Sequence, residues 1–489
     1  MRYTKILNPA LIAALLAPSL CLVGCSDDSG DIMQNPARDA GTDSGTPVTD
    51  SGTSDAGAPV TDAGAACPTN PTEVRISTAT ITASTTWDCS HTYVIDNPSP
   101  TFVMAPAVLT IGPGTTIRGA SPQSAIIITR GARLEAAGTA AQPIVFTSNR
   151  PVGMRRSGDW GGVVLLGNAA INDSANMTGA TGTNQLEGLD STDMRGRYGG
   201  GATPDDASNC GTLRYVRIEF AGYTLSTNNE LNGLTVCACG SGTTLDYVQV
   251  HRGADDGIEL FGGTANLRHA VITQSDDDGL DWDFGWVGKA QFVIVQQSAF
   301  SNEGFEADNN GNANDALPRS APTIYNATLV GSDRQPGGAN QKQMGMHLRR
   351  GTAGQIYNSI ITSFADFPID VDGAATVAQT PASLFIKNSI FFDNGNQTTW
   401  ADPTDNDGGF DEGAYFKTEA TNKLVDPRIT SALNLASPNF HPGANSPAMT
   451  ASNAATPPSD GFFDATATYL GAIGGADDWT LGWTAYPAN

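Results

Sequence analysis

A short phrase recurs in the middle of this chain at a nearly constant interval. It reads Asp-Asp-Gly-Ile-Glu-Leu at 255–260, Asp-Asp-Gly-Leu-Asp-Trp at 277–282 and Asn-Glu-Gly-Phe-Glu-Ala at 302–307. The glycines of successive copies lie 22 and 25 residues apart. A repeat of this length indicates units that cannot bury their apolar faces alone and must stack on their neighbours. The sequence therefore predicts a solenoid.

Each copy of the phrase is predicted to be a β-strand. Ile258 and Leu260 lie on either side of Glu259, which is the period-two pattern of a strand with one buried face. A second set of strand-like segments, such as 245–250 and 267–272, alternates with the first, and Gly, Asn and Asp residues separate them. We expect an all-β fold that consists of a single parallel β-helix.

Six coils can be aligned in one register, so residues at equivalent positions form ladders along the outside of the helix. Stacked coils lie about 4.8 Å apart. The strand ladder contains Thr235, Glu259, Asp281, Glu306, His347 and Asp370. The turn ladder contains Asn232, Asp256, Asp278, Glu303 and Met344.

The N-terminus is predicted to export and anchor the protein. Residues 1–25 contain Arg2 and Lys5, then a mostly apolar run, and end in Leu-Val-Gly-Cys, which is similar to a bacterial lipobox. Cys25 is therefore the expected lipidation site, and Ser26 after it favours the outer membrane. Residues 26–66 are rich in Asp, Gly, Ser, Thr, Ala and Pro, which predicts a disordered acidic tether. We expect the membrane to be a partner through this lipid, and such an anchor allows the protein to be exposed at the cell surface.

The overall charge limits the partners of the folded part. The chain has 50 acidic and 26 basic side chains, a formal charge of -24 at pH 7. Phosphate backbones need the opposite sign, so nucleic acid is excluded as a partner. Cations and neutral or basic ligands fit this balance.

The cysteines indicate an oxidising compartment. With Cys21 in the signal and Cys25 lipidated, five remain, and we expect most to be paired. We predict a disulfide between Cys67 and Cys89 across the first coil, and one from Cys210 to Cys237 or Cys239. One cysteine is then left over.

Several stretches resemble known β-helix proteins. The segments 108–115, 125–128, 131–139 and 143–148 are similar to the opening coils of right-handed parallel β-helices of the pectin-lyase-like superfamily. Segments 158–162, 214–222 and 478–484 resemble a group of secreted or lipid-anchored bacterial β-helix proteins without an assigned activity. The resemblance covers about 103–489 and implies a right-handed helix, but the superfamily contains lyases, hydrolases, adhesins and inert scaffolds.

The chain is therefore divided into four predicted parts. The signal and lipobox occupy 1–25, the tether 26–66 and the β-helix 67–423. Residues 168–209 have no strand period and are expected to form an inserted loop, and 331–343 a shorter one. Residues 424–489 are expected to form a cap over the open end of the helix, which would otherwise present unpaired backbone groups.

The acidic rungs of the two ladders must be compensated. Two carboxylates about 4.8 Å apart repel by roughly 3–4 kcal/mol at an effective dielectric constant of about 20. One solution is calcium, which prefers oxygen ligands. A second is that the side chains splay apart, accept hydrogen bonds from turn N–H groups and stay hydrated. The predicted calcium ligands are Asp256, Glu259, Asp278, Asp281, Glu303 and Glu306.

A third solution is catalysis. Carbohydrate-active members of the superfamily place acids on outward strand positions, and paired carboxylates can act as acid and base on a glycosidic bond. The candidates here are Glu259, Asp281, Glu306 and His347, with Asp370 in the same ladder. Arg349 and Arg350 lie near the ladder in the sequence, but no Lys or Arg occupies one of its acidic rungs as a lyase base would.

The aromatic residues beside Asp281 allow two interpretations. Trp282, Phe284 and Trp286 alternate along one strand, so they either fill the core or stack on sugar rings. Together these observations favour a cell-envelope lipoprotein that acts as a binding or structural surface module, stabilised by calcium and in contact with polysaccharide or a surface protein of a neighbouring cell. The alternative is a polysaccharide lyase or glycoside hydrolase that uses the strand ladder.

Overall fold

The computed structural model describes residues 66–172, 182–226, 229–333, 342–395, 400, 406–475 and 478–489. The predicted signal, Cys25 and almost all of the predicted tether lie outside the described residues, as do parts of both predicted insertions. None of the described helices is long and apolar enough to span a bilayer.

Short strands are the main regular structure of the described chain. In the N-terminal half they are β1 Thr72–Ile76, β2 Thr80–Ile81, β3 Thr85–Trp87, β4 His91–Ile95, β5 Thr101–Val103, β6 Val108–Ile111, β7 Thr116–Gly119, β8 Ala125–Ile128, β9 Arg133–Ala137, β10 Ile144–Ser148, β11 Gly162–Leu166, β12 Asn184–Gln185, β13 Arg197–Tyr198, β14 Gly211–Glu219, β15 Tyr223–Ser226, β16 Asn229–Leu231 and β17 Leu234–Cys237. In the C-terminal half they are β18 Thr244–His251, β19 Ile258–Phe261, β20 Asn266–Thr273, β21 Leu280–Asp283, β22 Lys289–Gln296, β23 Phe305–Ala307, β24 Thr323–Val330, β25 Met346–Leu348, β26 Gly354–Tyr357, β27 Ile360–Thr362, β28 Asp370–Val371, β29 Leu384–Lys387, β30 Ile390–Phe392, β31 Ile429–Ser431 and β32 Asn439–Pro442. Two short α-helices occur among the described residues, α1 Ala374–Val377 and α2 Glu412–Phe416, together with 3-10 turns at Met194–Gly196, Pro447–Met449 and Ala451–Asn453.

The strands form two long sheets in which neighbours are parallel. The larger sheet follows the order β1-β4-β7-β10-β14-β18-β20-β22-β24-β26-β29, and the smaller one follows β2-β5-β8-β11-β17-β19-β21-β23-β25-β28. Successive coils thus stack strand on strand in both sheets, and several coils contribute a second strand to the larger one, which is the architecture of a parallel β-helix. The predicted all-β fold is confirmed.

The register predicted for the strand ladder is also confirmed. In the smaller sheet Thr235 pairs with Glu259, Glu259 with Asp281 and Asp281 with Glu306. The ladder continues through His347 to Asp370. Glycine keeps the coils close here, because a Cβ on Gly279 would lie 2.6 Å from the carbonyl oxygen of Gly304.

The lumen of the helix is filled by the side chains that alternate with the strand ladder. Ile258, Leu280 and Phe305 are fully buried in one continuous core with their counterparts from the larger sheet. Trp282 and Trp286 belong to this core as well, and their indole nitrogens donate to Thr352 and to the carbonyl of Ala265. Stacking of these two tryptophans on sugar rings is therefore ruled out.

The outer face of the smaller sheet changes character along its length. The strand ladder is continued toward the N-terminus by Phe102, Ile127 and Val164. These apolar rungs are covered by the inserted segment, whose β12 and β13 pair antiparallel and whose Leu186 and Tyr198 pack on them. The described part of the 168–209 insertion thus packs on the sheet where the sequence indicated only a loop.

The C-terminal segment 424–489 lies along the side of the larger sheet, so its predicted role as a cap over the open end is wrong. Glutamine and asparagine side chains on the outer face of the sheet hold its backbone. Gln249 donates to the carbonyl of Ala485 and accepts from its N–H, at 2.8 and 2.9 Å. Gln291 pairs in the same way with Asp464, and Asn358 with Ala455.

The last coil is covered by an earlier part of the chain. Phe416 in α2 is buried in the main core together with Trp400, and Tyr415 packs against it. Asp411 accepts a hydrogen bond from the N–H of Ala414 and so caps the first turn of α2. The apolar end of the helix is thus closed by residues before 424.

Two disulfides clamp the fold. Cys67 is joined to Cys89, and Cys210 is joined to Cys239. Of the two partners considered for Cys210, Cys237 is therefore wrong. Cys237 is a free, fully buried thiol that faces the inserted segment, where burial raises its pKa well above the usual value.

Candidate functional site

The turn ladder is held together by its own carboxylates. Asp256 Oδ1 accepts a hydrogen bond from the backbone N–H of Asp278 at 3.0 Å, and Asp278 Oδ1 accepts one from the N–H of Glu303 at 2.6 Å. Each acid thus links its own coil to the next one, and the predicted hydrogen bonds to turn N–H groups are present. The hydration predicted together with them is not, because Asp256, Asp278 and Glu303 are each less than a tenth exposed.

Carboxylate oxygens from neighbouring coils converge in three overlapping groups. Within each group one oxygen of every member lies within 4.8 Å of the others. The seven residues concerned are called the acid cluster below. The groups are Asp255, Asp256 and Asp277; Asp256, Glu259 and Asp281; and Asp277, Asp278 and Glu303.

The acid cluster faces away from the lumen, yet much of it is shielded from water. Asp256, Asp278, Asp281 and Glu303 are each less than a tenth exposed. Asp281 Oδ1 is buried and accepts no hydrogen bond from any described residue. The same holds for Asn232 Oδ1, although the Nδ2 of this side chain donates to Glu259. The acids point outward, as the strand pattern predicts. The structure shows in addition that several of their carboxylates are shielded from water.

Burial and mutual repulsion disfavour ionisation throughout the acid cluster. Burial and the charge of Asp277 raise the pKa of Asp255 to about 8, and burial with Glu303 raises the pKa of Asp277 to about 7. Burial likewise raises the pKa values of Asp256, Glu259, Asp278 and Asp281 well above their usual range. Without a bound cation the cluster must therefore take up protons or carry unscreened charge.

The next rungs of the strand ladder are neutralised by basic side chains. Arg349 donates to Glu306 and, from Nε at 2.8 Å, to Asp308, which also pairs with Arg350. His347 Nδ1 lies 3.7 Å from Glu306. Burial raises the pKa of Glu306, but His347 and Arg349 outweigh this effect and lower it. Arg349 thus reaches among the acids, which the sequence did not reveal.

Five of the six predicted calcium ligands lie in the acid cluster. The sixth, Glu306, lies outside the acid cluster and forms an ion pair with Arg349. Asp255 and Asp277 were not among the predicted ligands. Each directly precedes a turn-ladder aspartate, so the doubled Asp-Asp of the repeat indicates that they belong to the same group. Their backbone positions form a further ladder with Asn302, whose Nδ2 donates to Asp277.

The catalytic candidates are placed in one ladder but in different surroundings. Glu259 and Asp281 share a carboxylate group of the acid cluster, whereas Glu306 and His347 lie beside Arg349 and are each 15 % exposed. His347 also lies 3.7 Å from Asp370. The two halves of the ladder therefore differ in chemistry: one is rich in carboxylates without cations, and the other contains ion pairs.

Comparison with known families agrees with this architecture. A family model described as a pectate-lyase-like β-helix domain matches residues 79–432, more than half of the chain. The chain therefore belongs to this family. At the family level the match supports a polysaccharide-related role. A search of curated proteins gave no match.

The acid cluster predicts an unusual dependence of stability on pH. In the unfolded chain Asp255 and Asp277 titrate near pH 4, whereas in the folded protein they hold their protons to about pH 8 and 7. Between these limits the folded state binds more protons, so the free energy of unfolding falls as the pH rises. In chelator, we expect the melting temperature to drop by on the order of 5 °C between pH 4.5 and 8.

Differential scanning fluorimetry across this pH range measures the effect. Asp277→Asn should flatten the profile, and Asp96→Asn, at an exposed aspartate of the first coils, should leave it unchanged. A profile that rises from pH 4.5 to 8 would contradict the proton linkage.

Proposed function

We propose that this protein is a calcium-stabilised β-helical module that contacts polysaccharide at the cell envelope. The observation that carries the calcium part is the acid cluster together with the buried, unpaired oxygen of Asp281. Calcium binds oxygen ligands at about 2.3–2.6 Å, so ligands on opposite sides of the ion are about 4.8 Å apart. The three carboxylate groups are within this limit, and Asn232 Oδ1 is a neutral oxygen available nearby.

The polysaccharide part rests on the family and on charge. The family match supports such a role, and a formal charge of -24 favours neutral or basic glycans, or acidic ones bridged by calcium. The membrane anchor rests on the lipobox-like sequence that ends at Cys25. We place the protein in the outer membrane through this lipid, with 26–66 as the spacer between the membrane and the folded part.

A calcium titration followed by a glycan array tests the proposal. Isothermal titration of chelator-treated protein should show binding that is lost in Asp256→Asn, because this residue belongs to two of the three carboxylate groups. The array should then show glycan binding in calcium and weaker binding in chelator. Asp315→Asn, which removes one charge from a side chain that is 86 % exposed, is the matched control. Absence of calcium binding at millimolar concentration would contradict the proposal.

The alternative function is cleavage of a glycan by the strand ladder. It is favoured by Arg349, which stands among Glu306 and Asp308 with His347 adjacent. Poor access of a substrate to the acids disfavours it. Asp281 and Asp370 are each less than a tenth exposed, and Glu306 forms an ion pair with Arg349. Release of reducing ends or unsaturated products from array-positive glycans, abolished in Glu306→Gln, would establish the alternative.

A further inference from the structure

A cavity of about 200 Å³ lies beside the inserted segment, at the apolar end of the smaller sheet. Its walls are mainly apolar and are formed by Pro100, Ile127, Leu186, Leu189 and Leu231. These residues come from the turn before β5, from β8 of the smaller sheet, from the inserted segment and from β16. The cavity therefore exists only because the insertion packs on this face of the helix.

Two groups in the wall are suited to recognise a positive charge. One is the ring of Tyr223, whose hydroxyl accepts a hydrogen bond from Gln123 at 3.2 Å. The other is the carboxylate of Glu187, which accepts a hydrogen bond from the backbone N–H of Glu230 at 3.3 Å. No Lys, Arg or His among the described residues forms an ion pair with Glu187.

A carboxylate in an apolar wall is costly to ionise without a cation. Burial raises the pKa of Glu187 to about 7. Glu187 also adds its charge to the field at Asp255 and Glu259, so this end of the fold is negative well beyond the cavity. An ammonium group in the cavity would pair with Glu187, and an adjacent aromatic ring can add a cation–π contact.

We propose that this cavity binds a small organic amine whose apolar part fills the space between the inserted segment and the β-helix. The volume is below the ~300–1,000 Å³ of pockets for drug-sized ligands, so a single-ring group fits. The ammonium group contacts Glu187, and the apolar part contacts Tyr223 and the leucines. Such a ligand could be an aryl or alkyl amine or an amino sugar, which share the ammonium group and differ in the polarity of the ring.

Titration of the full chain in saturating calcium tests this assignment with three probes. Phenethylamine carries the charge and an apolar ring, 2-phenylethanol has the ring without the charge, and glucosamine has the amine on a polar ring. We expect phenethylamine to bind at least about tenfold more tightly than 2-phenylethanol, because a charge-assisted hydrogen bond is lost in the alcohol. Preferential binding of glucosamine would identify an amino sugar as the source of the amine and also supports the assignment.

Glu187→Gln keeps the shape of the side chain and removes its charge, so amine affinity should fall at least about tenfold. Tyr223→Leu provides a second variant and should also weaken the amine. Glu135→Gln, on β9, is the matched control and should bind the amine like the unchanged protein.

The pH dependence of amine binding tests the proposal without a variant. Since Glu187 titrates near pH 7 and phenethylamine stays charged, affinity for phenethylamine should fall about tenfold from pH 8 to pH 6. Equal binding of the amine and the alcohol, no effect of Glu187→Gln, or no binding of either amine would overturn the proposal. None of these outcomes depends on whether calcium or polysaccharide binding is confirmed.

Discussion

Asp281→Asn should raise the melting temperature in chelator and abolish most of the further rise that calcium gives the unchanged protein. Without a cation at pH 8, the folded state must either protonate Asp281 far above its unfolded pKa of about 4 or tolerate its charge among Asp256 and Glu259. Either costs up to ~1.4 kcal/mol per pH unit, and asparagine avoids this cost. We expect the variant to melt about 3–5 °C higher in chelator.

Calcium narrows this difference because Asp281 is one of the proposed ligands. A ligand at a hundred times its dissociation constant stabilises the folded state by about 2.7 kcal/mol, which for a fold of this size is about 3 °C. The variant should lose most of this gain, so the two melting temperatures converge between chelator and millimolar calcium. Scanning calorimetry in both buffers measures the shift.

Asp315→Asn controls for the loss of one negative charge, since that side chain is exposed and forms its ion pair with Arg319, outside the acid cluster. It should respond to calcium like the unchanged protein. If Asp281→Asn destabilised the protein equally in both buffers, its role would be packing alone and the calcium proposal would fail.

Replacing three amide side chains should release the C-terminal segment from the larger sheet. Gln249, Gln291 and Asn358 each pair with both the N–H and the C=O of one residue in 424–489. Alanine at each position leaves a donor and an acceptor of the segment unpaired, at about 1–3 kcal/mol per site. The triple variant should therefore weaken attachment of the segment by roughly 3–9 kcal/mol, with additivity because the sites lie in different coils.

Hydrogen exchange separates this local effect from unfolding of the helix. Amides of the segment should exchange at least about 100-fold faster, whereas those of β20 and β22 should remain protected. The exposed apolar surface around Val271, Ile294 and Val330 should also promote aggregation.

Gln355→Ala is the matched control for the triple variant, because Gln355 lies on β26 of the same sheet but is exposed. It should leave both exchange and solubility unchanged. Unaltered exchange of the segment in the triple variant would show that the apolar contacts of Phe440, Ile473 and Trp483 hold it without the amides.

The sequence by itself determined the coil, the register and the identity of most of the acids that meet. Glycine at a fixed place in each repeat allows close approach of adjacent backbones, and strand alternation sends Ile258 and Leu280 inward and Glu259 and Asp281 outward. Stacking of equivalent residues then follows from the repeat length alone. These features are local and repeat, so a single chain displays them several times.

Only the tertiary structure decided what covers the helix and which charges are screened. The inserted segment and 424–489 lack a repeat, and their positions depend on contacts with residues remote in the chain, such as Ala485 with Gln249. For the same reason the sequence left the partner of Cys210 open between Cys237 and Cys239. It also did not reveal the reach of Arg349 to Glu306 or the cavity beside Glu187. Burial of an acid depends on everything packed around it, and a repeat pattern carries no information about elements outside the repeat.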